Sequence, residues 1–128
     1  MKALHTIMHV EDNPILREIT LMSLEMIGDF EVVQFISGKD AIDNLPDQTP
    51  DMVILDVIMP DMGGMETLKQ LRKIERFAKV PIVFVTASDA DSDELMALGA
   101  QGIILKPFEP MDLPAQLLKI WETYHECS

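Results

Sequence analysis

Apolar residues along this chain come in short runs, separated by stretches of helical period. The runs are Leu4–Val10, Val32–Ile36, Met52–Leu55, Ile82–Val85 and Gly102–Leu105. They are rich in Val and Ile and alternate little with polar residues, as parallel strands covered on both faces do. Between them, Ile15, Ile19, Met22 and Met26 form one stripe, which predicts a first helix with that face on a sheet. Leu68, Leu71 and Ile74 mark a third helix, with Lys69, Arg72 and Lys73 outside its apolar stripe. Leu113, Leu117, Ile120 and Tyr124 mark a fifth, while the shorter segments Lys39–Leu45 and Ser92–Leu98 supply the second and fourth. Asn13-Pro14 opens the first helix as N-cap and first-turn proline, and Gly28 and Gly99 suit helix ends.

Five strands alternating with five helices predict an α/β fold, a doubly wound five-stranded parallel sheet with helices on both faces. Ligands of such sheets bind beyond the carboxyl ends of the strands, where strand order reverses. Strand 1 ends in Glu11-Asp12, strand 3 in Asp56, strand 4 in Thr86 and strand 5 in Lys106-Pro107. Singly, each has an ordinary explanation: a helix start, a turn, a cap, a solvated charge. Together they bring three acids, a hydroxyl and an ammonium to one edge.

Three carboxylates about 5 Å apart repel by roughly 3 kcal/mol per pair at an effective dielectric of about 20. That is a large fraction of the ~5–15 kcal/mol that holds a domain folded. A hard divalent cation relieves it, and oxygen-only ligands with positions left for water and phosphate suit Mg2+. Lys106 can then neutralise a phosphoryl oxygen and the Thr86 hydroxyl can hydrogen-bond another. Asp56 becomes a carboxylate able to accept the phosphoryl group covalently.

Composition narrows the setting. At 128 residues, 48% of them hydrophobic, the chain is expected to form one domain over residues 1–128 with no effector domain. Ten Lys plus Arg against 22 Asp plus Glu give a net charge of −12, which disfavours nucleic-acid backbones and anionic membrane surfaces. The single cysteine, Cys127, cannot form an internal disulfide and suits a reducing compartment. His5, His9 and Glu11-Asp12 interrupt the N-terminal apolar stretch, so it does not read as a signal peptide. The expectation is a soluble, cytoplasmic protein.

The chain resembles the receiver domains of two-component response regulators over nearly its whole length. Val10-Glu11-Asp12-Asn13-Pro14, Asp51–Asp56, Met59-Pro60-Asp61-Met62-Gly63-Gly64, Val85-Thr86-Ala87 and Lys106-Pro107-Phe108 carry the resemblance, in order. It implies a flavodoxin-like strand order of 2-1-3-4-5 and Asp56 as the site of 4-aspartylphosphate. It further implies Mg2+ bound by Asp12 directly, by Glu11 through water, by Asp56 and by the backbone carbonyl of Ile58. Thr86 would swing toward the phosphoryl group, and Lys106, oriented by a cis peptide to Pro107, would hold it.

Four departures stand out. Ile103 occupies the position of a switching aromatic, Gly63 replaces an Asp as helix N-cap, and the segment from Thr86 to Lys106 is short. Ile58 and Ser88 flank the path of attacking water, and Ile58 is expected to shield the acyl phosphate. Met59, Met62 and Met65 beside Asp56 are read as packing the loop onto the sheet, or else as an adaptable partner surface. His9 is read as a satisfied core histidine.

The expected function is that of a stand-alone receiver taking its phosphoryl group from a histidine kinase or histidine phosphotransfer protein. Output is expected through contact with another protein or onward phosphotransfer, from a monomer or a phosphorylation-dependent dimer. The alternative is a receiver-shaped interaction module that works without phosphorylation. A haloacid-dehalogenase-like phosphatase requires an acid where Ile58 stands, and Glu11–Pro14 would repel the phosphate of a flavin mononucleotide.

Overall fold

The structure, a computed structural model, describes residues 3–127. Expectations placed on Met1, Lys2 and the Cys127 side chain lie outside the described residues. Five strands, β1 (Thr6–Val10), β2 (Glu31–Phe35), β3 (Met52–Asp56), β4 (Ile82–Thr86) and β5 (Gly102–Leu105), form one sheet. All pairings are parallel and the order is β2-β1-β3-β4-β5, as the resemblance implied. The helices are α1 (Pro14–Met22), α2 (Gly38–Asp43), α3 (Gly64–Arg72), α4 (Ser92–Ala97) and α5 (Leu113–Cys127). A π-helical turn, Ser23–Ile27, continues α1, and a 3-10 turn, Glu75–Phe77, follows α3.

Two cores sandwich the sheet. Met8, Val10, Val53, Leu55, Ile82 and Phe84 point toward Ala41 of α2, Leu68 and Leu71 of α3 and Leu95 of α4. Ile7, Ile54, Val83, Val85 and Ile104 point the other way, toward Leu24, Leu113, Leu117 and Trp121. The near-continuous apolar runs have this origin: every residue of β3 and β4 is buried. Met59 is a core residue that packs the loop after β3 onto the sheet, and Met65, in the first turn of α3, packs against the same cluster.

The predicted face of α1 needs correction. Ile15, Ile19, Met22 and Met26 are 70%, 38%, 52% and 77% exposed. The buried side of this helical segment is the adjacent one, with Thr20, Ser23 and Leu24. Two hydrogen bonds tie the helix to its surroundings in this rotation: Arg17 Nη1 reaches the Glu11 carbonyl at 3.0 Å, and Ser23 Oγ donates to Pro110 O.

Arg72, the last residue of α3 and outside its buried set, lies half-buried and donates to the carbonyls of Phe77, Val80 and Gly99 and to Gln101 Oε1. Its guanidinium ties α3 to the turns entering β4 and β5. Gly99, with φ of 106°, closes α4 as its position suggested. No described helix is long and apolar enough to cross a membrane.

Candidate functional site

β1 lies between β2 and β3, so strand order reverses beside it, and the crevice opens at the carboxyl ends of β1 and β3. Glu11, Asp12 and Asp56 meet there, with one oxygen of each within 4.8 Å of the others. Asp56 is the last residue of β3, held in register opposite Val85 of β4. Glu11 follows β1 directly, and its backbone N–H continues the ladder to Phe35 O at 3.1 Å. Both carboxylates are buried, at 2% and 5% exposure for Glu11 and Asp56.

Lys106 spans the pair. Its backbone N–H donates to Thr86 O at 2.7 Å, and its Nζ lies 3.1 Å from Asp56 Oδ1 and 3.4 Å from Glu11 Oε1. The Lys106-Pro107 peptide is cis, as expected. Burial works to lower the lysine's pKa, but hydrogen bonds and charge from Asp56 and Glu11 outweigh it and the net shift is upward. Burial chiefly raises Glu11, to about 7; the Asn13 N–H bond opposes this, Asp56 adds to it, and Lys106 pulls downward. One ammonium thus faces three carboxylates, and the acid cluster has the donor set of a hard divalent cation.

Thr86, 9% exposed, turns its hydroxyl to the following loop, donating to Ser88 O at 3.2 Å and accepting from Ser88 N at 3.3 Å. Ile58, two residues past Asp56, is 79% exposed. Gly63 is the N-cap of α3 without a side-chain bond, and its carbonyl accepts from Thr67 N and Oγ1. Ile103 pairs with Phe84 and packs half-buried against the core on the α2–α4 side, in the slot where an aromatic was expected.

The roles of three residues at the site escaped the sequence reading. A Cβ on Gly64 would overlap the carbonyl oxygen of Asp56, so only glycine lets α3 begin this close to the strand end. Arg17 Nη1 donates to the carbonyls of Glu11 and Asp12 at 3.0 and 3.3 Å. Gln34 Nε2 bonds both Arg17 O and His9 Nδ1. His9 is indeed a satisfied core histidine: burial first, then Lys106 and Arg17, holds its pKa down at about 3.

The family model of the response regulator receiver domain matches residues 7–118. The chain belongs to that family. It is 36% identical over 108 residues to the response regulator Rre1 of Synechocystis sp., across 83% of this chain and 47% of that protein. The receiver spans about half the length of the curated relatives it matches. Among solved structures, chemotaxis protein CheY4 of Vibrio cholerae superposes with a TM-score of 0.83 at 28% identity, covering 92% of this chain and 99% of that one. The receiver domain of the sensor histidine kinase PA1611 from Pseudomonas aeruginosa, with magnesium coordinated in its active site cleft, gives 0.80 at 26% identity, covering 93% and 98%. The receiver is thus a phosphoacceptor signalling component of two-component systems.

Proposed function

We propose that Asp56 accepts a phosphoryl group from a phosphohistidine on a kinase or phosphotransfer protein, and that the domain signals through altered protein contact or onward phosphotransfer. The observation that carries this reading is the convergence of Glu11, Asp12 and Asp56 within 4.8 Å, with Lys106 Nζ 3.1 Å from Asp56. Lys106 contacts Oδ1 of Asp56, the oxygen that would also face Mg2+, which leaves Oδ2 to attack phosphorus. The new O–P bond forms as the N–P bond to the donor imidazole breaks and its electron pair returns to that ring nitrogen. Asp12, Asp56 and the Ile58 carbonyl would hold Mg2+ directly, and Glu11 through water. The ion, when bound, neutralises charge on the transferring group. Thr86 exchanges its bond to Ser88 for one to the phosphoryl group, and Ile103, with Pro107 beyond it, repacks as the readout.

The donor's docking face follows from the exposed side of α1. A groove of about 570 Å3, lined by Leu16, Ile19, Ala87, Lys106, Pro107 and Phe108, runs from the rim of the site. It continues along Met22, Met26 and Pro110. Apolar and contiguous with Lys106, it suits a helical partner that brings its histidine to Asp56. Exposed Glu18, Glu109 and Asp112 nearby favour basic residues on that partner.

Ile103 in the aromatic slot favours a second reading, a receiver-shaped interaction module indifferent to phosphorylation. One experiment separates the two. Wild type should incorporate label from a small-molecule phosphodonor only with Mg2+ present, and Asp56→Asn should not. A wild type that neither binds Mg2+ nor takes up label would sink the first reading.

A further inference from the structure

Asp12 lies between the end of β1 and the N-cap of α1, and among the described residues its carboxylate takes no hydrogen bond or ion pair. Nothing aims that side chain except the backbone beneath it. The peptide plane before its Cα carries the Glu11 carbonyl, and the plane after it carries Asp12's own. Arg17 Nη1 donates to both, at 3.0 and 3.3 Å. Since peptide planes are rigid, holding the oxygens of the two that flank one Cα to a single nitrogen restricts how those planes can turn against each other, and with them the direction of the Asp12 Cα–Cβ bond.

Arg17 is itself anchored. Its carbonyl accepts from Gln34 Nε2 at 2.8 Å, and the same amide nitrogen lies 3.0 Å from His9 Nδ1. An amide NH2 only donates, so Nδ1 of His9 accepts and the ring proton sits on Nε2. His9 and Gln34 are cross-strand partners in β1 and β2, polar residues in runs otherwise dominated by Val, Ile, Met and Phe. They run from the sheet to α1, and Arg17 runs from α1 back to the acidic loop. No described carboxylate pairs with the Arg17 guanidinium, which is committed to these backbone carbonyls.

We propose that Arg17, braced by Gln34 and His9, is a positioning residue that orients Asp12 for the divalent cation. The inference rests on the reading of Glu11, Asp12 and Asp56 as the Mg2+ site. Positioning and charge predict opposite signs, because a cation beside the site repels Mg2+ while an orienting group assists it.

The test is Mg2+ titration calorimetry of the full chain, alongside Arg17→Met, Arg17→Lys and Gln34→Met. Arg17→Met should raise the Mg2+ Kd about tenfold or more, the usual scale for losing a residue that orients a metal ligand. Arg17→Lys should recover part of the loss, and Gln34→Met should show a smaller rise. Label uptake by these variants should return toward wild type at saturating Mg2+. Tighter Mg2+ binding in Arg17→Met would overturn the proposal in favour of charge. Lower apo stability with an unchanged Kd would overturn it in favour of a purely structural role. If Arg17→Met does not fold, an unchanged Kd in both Arg17→Lys and Gln34→Met refutes it equally. Absence of Mg2+ binding by wild type would instead remove the reading of the site on which the inference rests.

Discussion

Between about pH 4.5 and 7 the native Glu11 keeps a proton that the unfolded chain releases, because burial has lifted its carboxyl to about 7. A group that binds more protons in the native state makes stability fall as pH rises through that window. His9 acts in the opposite sense. Its imidazole stays neutral down to about 3 against an ordinary 6.5, so its burial costs stability as pH drops below 6.5. The two slopes partly cancel in the wild type, and only a difference isolates Glu11. Urea unfolding at fixed ionic strength should show Glu11→Gln gaining on wild type from about pH 5 to about pH 7; a flat difference would refute the assignment. Gly64 offers a steric counterpart. Gly64→Ala pushes the start of α3 off the Asp56 carbonyl and should cost about 1–3 kcal/mol, the usual range for overpacking. Label uptake should slow even where the variant is fully folded, and normal uptake at normal stability would show that the strand end can yield.

At the scale of elements, α1 separates what was legible from what was not. Strand runs were readable because period and Val/Ile content are intrinsic to a covered parallel sheet, and the topology then brought Glu11, Asp12, Asp56, Thr86 and Lys106 to one edge. The rotation of α1 was not readable. Its apolar arc is wide, and the buried side carries Thr20 and Ser23 beside Leu24, while the more hydrophobic stripe stays in solvent. The bonds of Arg17 and Ser23 favour one of the two, and such bonds leave no periodic trace. Gly64 and Gln34 were hidden for the same reason: a close approach to backbone and an amide bridge depend on positions in space. Ile19→Glu tests the consequence. Ile19 is 38% exposed, so the change should leave the fold intact at a cost of about 1–2 kcal/mol. It should impair transfer from a phosphorylated protein donor while labelling by a small phosphodonor is unaffected; equal loss with both donors would place the effect in the site itself.

For the whole molecule, the net charge of −12 means that any salt relieves some self-repulsion, and this must be separated from occupation of one site. Screening depends on ionic strength and acts on all the acids together. Site binding depends on the free cation and on Asp12. At a concentration a hundred times its Kd, a cation that binds only the native state adds about 2.7 kcal/mol. For a domain of this size that is on the order of 10 °C in Tm. Millimolar Mg2+ should therefore raise Tm well above the value in NaCl of equal ionic strength. Asp12→Ala should abolish most of that excess while keeping the response to NaCl, since it removes one carboxylate of 22 acids but one of only three at the cation. The same substitution should raise apo stability slightly by relieving repulsion from Glu11 and Asp56. A variant less stable than wild type without Mg2+ and more stable with it would invert both signs, and would place the cation away from the crevice between β1 and β3.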